Sequence, residues 1–221
     1  MTPRSRVSMY GLVACLLLSC ATAVWGRIVM TPPWVANPND PKWAGGSTTF
    51  VQWEFAHDPT APIRWDTNYT TSLVPNISFP AGSTYPDVVP GPDGQPIPTW
   101  HIGDNGDITI FCPNDPRDRP YKEILLQITS DKGQPAIPKA NGTPASVAGI
   151  FGFPGSNWYT YAYSWHLEPN PPYELITIPA VPSTNVEEIV INTICVPEPA
   201  SVMCLGLAAP LLLARKRRAR A

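Results

Sequence analysis

Proline constrains this chain more than any other residue. It contains 29 prolines and 15 glycines, many of them adjacent, as at Pro32-Pro33, Gly91-Pro92 and Pro171-Pro172. Each proline removes a backbone donor and biases the residue before it away from helix, so helices longer than a turn are hard to place. Eight tryptophans, eight tyrosines and six phenylalanines, on the other hand, are far too many for a chain that never buries apolar surface. What satisfies both conditions is a set of short strands joined by proline-stiffened loops.

Strand-forming runs rich in β-branched and aromatic residues are readily found. They begin with TTFVQWEF (Thr48 to Phe55) and continue through short pieces at TSLVP and NISF. They become clear in WHI, DITIFC, YKEILLQIT, SVAGIFGF, WYTYAYSWHLE, YELITI and EEIVINTIC. Their number and turn spacing predict an all-β domain, an antiparallel β-sandwich of jelly-roll-like form with proline-rich loops. Residues 27–46 read as an irregular N-terminal segment. In WYTYAYSWHLE the period is two: Tyr159, Tyr161, Tyr163, Trp165 and Leu167 share one face, and Thr160, Ala162, Ser164, His166 and Glu168 the other. The second face is small and polar, so the aromatic face is expected in the core. Pro169-Asn170-Pro171-Pro172 is expected to join this strand to YELITI as a hairpin.

The two ends differ from the middle. Arg4 and Arg6, an apolar run from about Met9 to Leu18, and Ala21-Thr22-Ala23 have the layout of a secretory signal peptide, residues 1–23, with cleavage after Ala23. A lipoprotein signal acylated at Cys20 is the alternative, although Leu18 stands where something smaller is usual. At the other end, the 15 residues from Ala200 to Ala214 span only about 22 Å as a helix, against a hydrocarbon core of about 30 Å. Arg215, Lys216, Arg217, Arg218 and Arg220 follow at once, and such a cluster stays cytoplasmic.

Pro197-Glu198-Pro199, an apolar segment and an arginine-rich end, in that order at residues 197–221, resemble the PEP-CTERM sorting signal of exported bacterial proteins. The resemblance implies an exosortase and the Sec translocation machinery as partners, in a Gram-negative-type bacterium. It also implies transient membrane tethering, removal of the tail and delivery to the cell surface or extracellular matrix. The two prolines suit it, since they keep the tripeptide extended and outside the following helix. The departures are a short apolar run and Pro210 within it; a tail anchor that is never cleaved is the alternative. Residues 24–196 would then be the exported domain. The segment around YELITI and VEEIVINTICVPEP is similar to the region upstream of the signal in some uncharacterised exported proteins, which supplies no activity.

Without its ends the chain is acidic. Of 15 Lys and Arg, two lie in the signal and five in the tail, leaving eight against 17 Asp and Glu, or about −9 for residues 24–199. Nucleic acid is therefore not an expected partner, because such binding rests on a basic surface. Two of the five cysteines, Cys112 and Cys195, fall in the exported domain. Each ends a strand on an apolar face, with Ile108 and Ile110 or with Ile189 and Ile191, and in an oxidising compartment they form a candidate disulfide. Two buried free thiols are the alternative.

Candidate chemistry is sparse. Trp100 and Trp158, with Trp53 and Trp65 beside them, are the aromatic side chains expected to touch sugars if a glycan groove exists. Asp104, Asn105 and Asp107 in GDNGDI offer oxygen ligands for Ca²⁺, but the EF-hand pattern is incomplete and Asn-Gly equally marks a turn. No metal or cofactor is expected. The three histidines, His57, His101 and His166, belong to no hydrolase or metalloprotease motif. A glycosidase pair needs no local motif, and Glu54 with Glu123 illustrates one. The sequons at Asn68, Asn76 and Asn141 mark surface turns. The expected function is a non-enzymatic surface or matrix component. A carbohydrate-binding module for extracellular polysaccharide is the alternative, and a glycan-active hydrolase ranks third.

Overall fold

The computed structural model of the chain describes residues 30–40, 42–55, 61–103, 106–117, 119–179 and 181–197. These residues form two antiparallel sheets over one core, as the strand runs predict. The signal segment, the apolar tail with its basic end, and Glu198 and Pro199 lie outside the described residues. Among those residues no helix is long and apolar enough to cross a membrane.

The larger sheet runs β10 (Ser146–Gly152), β11 (Tyr159–Leu167), β7 (Tyr121–Ser130), β13 (Asn185–Val196), β1 (Ser47–Glu54) and β2 (Arg64–Thr67). A side branch, β4 (Thr84–Pro90) and β5 (Pro96–His101), joins it where β5 pairs with the start of β13. The smaller sheet runs β3 (Asn76–Ser78), β6 (Asp107–Pro113), β12 (Tyr173–Pro179), β8 (Lys139–Ala140) and β9 (Thr143–Pro144). Ile108, Ile110, Ile176 and Ile178 of this sheet meet Val51, Trp53, Leu126, Ile128 and Tyr163 of the other in one apolar core.

The expected hairpin between WYTYAYSWHLE and YELITI is corrected by this topology. β11 pairs with β10 and β7 in the larger sheet, whereas β12 pairs with β6 and β8 in the smaller one. The connection is an arch across the end of the sandwich. Three prolines among residues 169–172 leave it too few N–H groups to extend a ladder, so it suits an arch better than a hairpin. The aromatic face of β11 is in the core as expected: Tyr161, Tyr163, Trp165 and Leu167 are buried, and only Tyr159, at the strand's start, is exposed.

β13 breaks the alternation of a half-buried strand, because all twelve of its residues are buried. One face lies on the core. The other is covered by the N-terminal segment, whose single helical turn α1 (Pro33–Ala36) starts on a proline, a residue suited to the first helical position. Trp34 and Trp43 pack edge to face, 5.7 Å between centroids, and close with Leu125, Ala162, Ile194 and Val196 on the outer face of the sheet. A Cβ at Gly46 would come within 2.7 Å of the Ile194 side chain, so this cover depends on glycine where it joins β1. The segment that read as irregular is thus the lid of a second, smaller core.

Candidate functional site

The core face of four strands ends in polar residues at the same end of the sandwich. On β7 the series Ile128, Leu126, Ile124 continues to Lys122; on β12 Ile178 and Ile176 continue to Glu174; on β6 Ile108 and Ile110 continue to Cys112 and then Asn114; on β13 Ile189 and Ile191 continue to Cys195. Register places Cys195 opposite Lys122 and Glu174 opposite Cys112. The two sheets therefore meet here through an amine, a carboxyl, an amide and two thiols, all buried.

Lys122 Nζ donates to Glu174 Oε1 at 2.6 Å and to Asn114 Oδ1 at 3.0 Å. Asn114 Oδ1 also accepts from the Asp115 backbone N–H at 2.8 Å and from the Cys195 thiol at 2.7 Å. The Asn114 Nδ2 donates to Asn170 Oδ1 at 2.8 Å and to the Pro171 carbonyl. Glu174 Oε2 is buried without a hydrogen-bond partner among the described residues. Burial pushes the Glu174 carboxyl above its ordinary value in spite of the ammonium beside it. Burial works against the Lys122 ammonium too, but the facing carboxylate and its neighbours outweigh it and hold the group above its usual range.

Outside this pair lies a second ionic group. Burial tends to raise the Asp115 carboxyl, but hydrogen bonds from Arg117 and Ser47 prevail and hold it down at about 2. Arg117 reaches it through Nε at 2.8 and 2.9 Å and through the guanidinium end at 2.7 Å, and the Ser47 hydroxyl donates from the start of β1. Beyond Asp115 opens a cleft of about 740 Å³, walled by Thr70, Leu73, Arg117, Arg119, Asn170 and Pro171 among others. Tyr69 donates to the Pro113 carbonyl behind it, and burial pushes its phenol up to about 12.

The residues singled out from the sequence fall elsewhere or play other parts. Cys112 and Cys195 are free buried thiols, so the expected bridge is corrected. Both do face the core at this end, but the Lys122–Glu174 pair and Asn114 lie among them, and the Cys195 hydrogen donates to Asn114. Trp158 is buried and its indole N–H donates to the Pro90 carbonyl at 2.9 Å, while Trp100 stacks on Phe79 with centroids 4.2 Å apart. Trp53 is fully buried, and Trp65 is packed against the core. The aromatic rings expected to meet sugars are committed to packing. Asp107 is exposed at the start of β6; Asp104 and Asn105 lie outside the described residues, among which no group of metal-ligating side chains forms. Glu54 pairs in register with Glu188, and Glu123 with Ile194, six residues further along β13. At about 3.3 Å per residue that is roughly 20 Å, too far for a glycosidase pair at about 5–10 Å. Pro197 alone of the sorting motif is described, directly after β13.

No family model matches the sequence, and no curated protein is similar to it. Among solved structures, a family 35 carbohydrate binding module from Clostridium thermocellum is similar at a TM-score of 0.33 and 14% identity, covering 53% of this chain and 90% of that one.

Proposed function

We propose that the chain is a non-catalytic domain displayed at a bacterial cell surface or in its matrix, exported through its N-terminal signal and held, until an exosortase processes it, by its C-terminal segment. The observation that carries this reading is the place where the domain ends. β13 runs to Val196 between β7 and β1, hydrogen-bonded on both sides over most of its length. A strand so placed passes a pull from a C-terminal tether into the centre of the sheet, where two ladders resist it, and not into a peelable edge. The committed aromatic rings favour the same reading, since they leave no stacking platform among the described tryptophans on which a sugar-active site usually depends.

The test is cellular. Full-length protein with an epitope inserted at Gly133, where a side chain would meet nothing within 4 Å, is followed by fractionation and by mass analysis of the surface form. Surface delivery without Arg215 to Ala221 is expected. An intact basic tail on the delivered form would make the segment a plain anchor, and retention in the cytoplasm would overturn the reading.

A second reading, binding of extracellular polysaccharide, has the open cleft in its favour, because Thr70, Arg119 and Asn170 offer hydrogen bonds to hydroxyl groups. Specific signal on a glycan array, lost in Arg119→Ala, would establish it; silence leaves the display role alone.

A further inference from the structure

We propose that Lys122 and Asn114 become joined by an intramolecular isopeptide bond, Nζ to Cγ, with Glu174 carrying the protons. The three side chains are buried together at the edge of the open cleft, which Asn114 lines, and each is placed for its part. Lys122, whose side chain is 0% exposed, is 3.0 Å from the oxygen of the amide it would attack. That oxygen already accepts the Asp115 N–H and the Cys195 S–H, two donors aimed where negative charge develops when an amide carbonyl is attacked. Glu174 touches the amine at 2.6 Å and keeps its second oxygen buried and unpartnered, free to take a proton.

The step balances without oxidant or cofactor. Glu174 takes one proton from the Lys122 ammonium, which exposes the amine lone pair. The amine attacks Asn114 Cγ, and the tetrahedral oxyanion rests on the Asp115 and Cys195 donors. A second Nζ proton passes through the Glu174 carboxyl to Nδ2, the Cγ–Nδ2 bond breaks, and ammonia leaves. An ammonium, a carboxylate and a primary amide become a secondary amide, a neutral carboxylic acid and ammonia. Nδ2 points to Asn170 and Pro171, both of which wall the open cleft, so the leaving group departs toward solvent. The change also removes two charges from a site that solvates neither, where desolvation weighs against a free ion pair.

The link would tie the end of β6 in the smaller sheet to the start of β7 in the larger, next to Cys195 near the end of β13. A covalent tie between sheets would stand where a C-terminal tether applies its load, although the chemistry does not depend on the display role.

Intact mass spectrometry of the purified full-length protein tests it directly. The expected mass is one ammonia below that of the sequence after any terminal processing. Trypsin should release a branched peptide in which the segment ending at Arg117 is joined to one running to Lys132 with Lys122 uncut. Glu174→Gln and Lys122→Arg should each restore the full mass. Wild-type protein of full mass, with a normal cut after Lys122, overturns the proposal whatever the variants do. Loss of ammonia without a branched peptide, as from a succinimide at Asn114-Asp115, overturns it too.

Discussion

Lys122 Nζ lies 2.6 Å from Glu174 Oε1, and neither side chain reaches solvent. The contact joins β7 of one sheet to β12 of the other, at the point where four apolar strand faces give out. A pair so deeply buried is valued less for its net contribution than for the penalty of breaking it. Glu174→Leu should therefore cost at least about 3–5 kcal/mol, because it leaves an ammonium with no counter-charge in the core and removes the carboxyl that would carry protons for the link. Combining it with Lys122→Met should make the protein more stable than the single variant, since no buried charge then remains and neither variant can form the link. Urea unfolding of the two variants checks this; a double variant as unstable as the single one would mean that the pair is not acting as a unit.

Asp115 sets the behaviour in acid. Its carboxyl has an ordinary value of 3.8 and is held at about 2 in the folded protein. Folding thus favours the ionised form, so this contribution is present in full above about pH 4 and disappears as pH falls toward about 2. Urea midpoints should decline across that window. Asp115→Asn should lower stability at neutral pH and flatten the acid slope, and an unchanged slope would assign the acid loss to other groups.

Much of the architecture was legible because the larger strands carry their own pattern. The alternation in β1, β6, β7, β11 and β12 marks both their extent and their buried faces. It does not mark their partners: the tyrosine row of β11 says which way its side chains point, but not that the next strand belongs to the opposite sheet. β4 and β5 were obscured by Pro86, Pro96 and Pro98, which read as loop. Proline is tolerated there because this pair forms a side branch in which β4 bonds to β5 alone, leaving open positions that require no donor. β13 carried no sign that its outer face would be covered, since that depends on Trp34 and Trp43 from far along the chain.

The candidate site was legible in part. Cys112 and Cys195 drew attention as strand ends on apolar faces, and they do converge with the buried cluster. Lys122 and Glu174 did not, because a charge at the end of a strand is usually solvated. The signal was present in the phase: Lys122 continues the series of Ile124, Leu126 and Ile128, and Glu174 that of Ile176 and Ile178. A lysine and a glutamate, each in phase with a core face, indicate that the two faces meet and that the charges pair.

Trp158 separates a packing role from a sugar-binding one. Its ring is buried and its N–H is satisfied by Pro90, so it holds the end of β4 against the start of β11. Trp158→Ala should cost about 3–5 kcal/mol in unfolding experiments, the usual range for emptying a buried aromatic site. Any glycan-array signal, measured below the unfolding temperature of the variant, should not change. Loss of binding in a folded Trp158→Ala protein would return the ring to a ligand role.

Alkaline pH should act through Tyr163 of the core and half-buried Tyr69. Burial pushes Tyr69 and Tyr163 each up to about 12, with Tyr163 also donating to the Pro135 carbonyl at 3.2 Å. Their ordinary value is 10.0, so the folded protein keeps both protons after the unfolded chain has begun to lose them. Their contribution is complete below about pH 10 and lost as pH rises toward about 12. Phenolate absorbance should therefore show these two groups ionising only with unfolding. Tyr163→Phe should shallow the alkaline fall in the urea midpoint. A normal early titration of Tyr163 in the folded protein would show that the aromatic face of β11 is open to water.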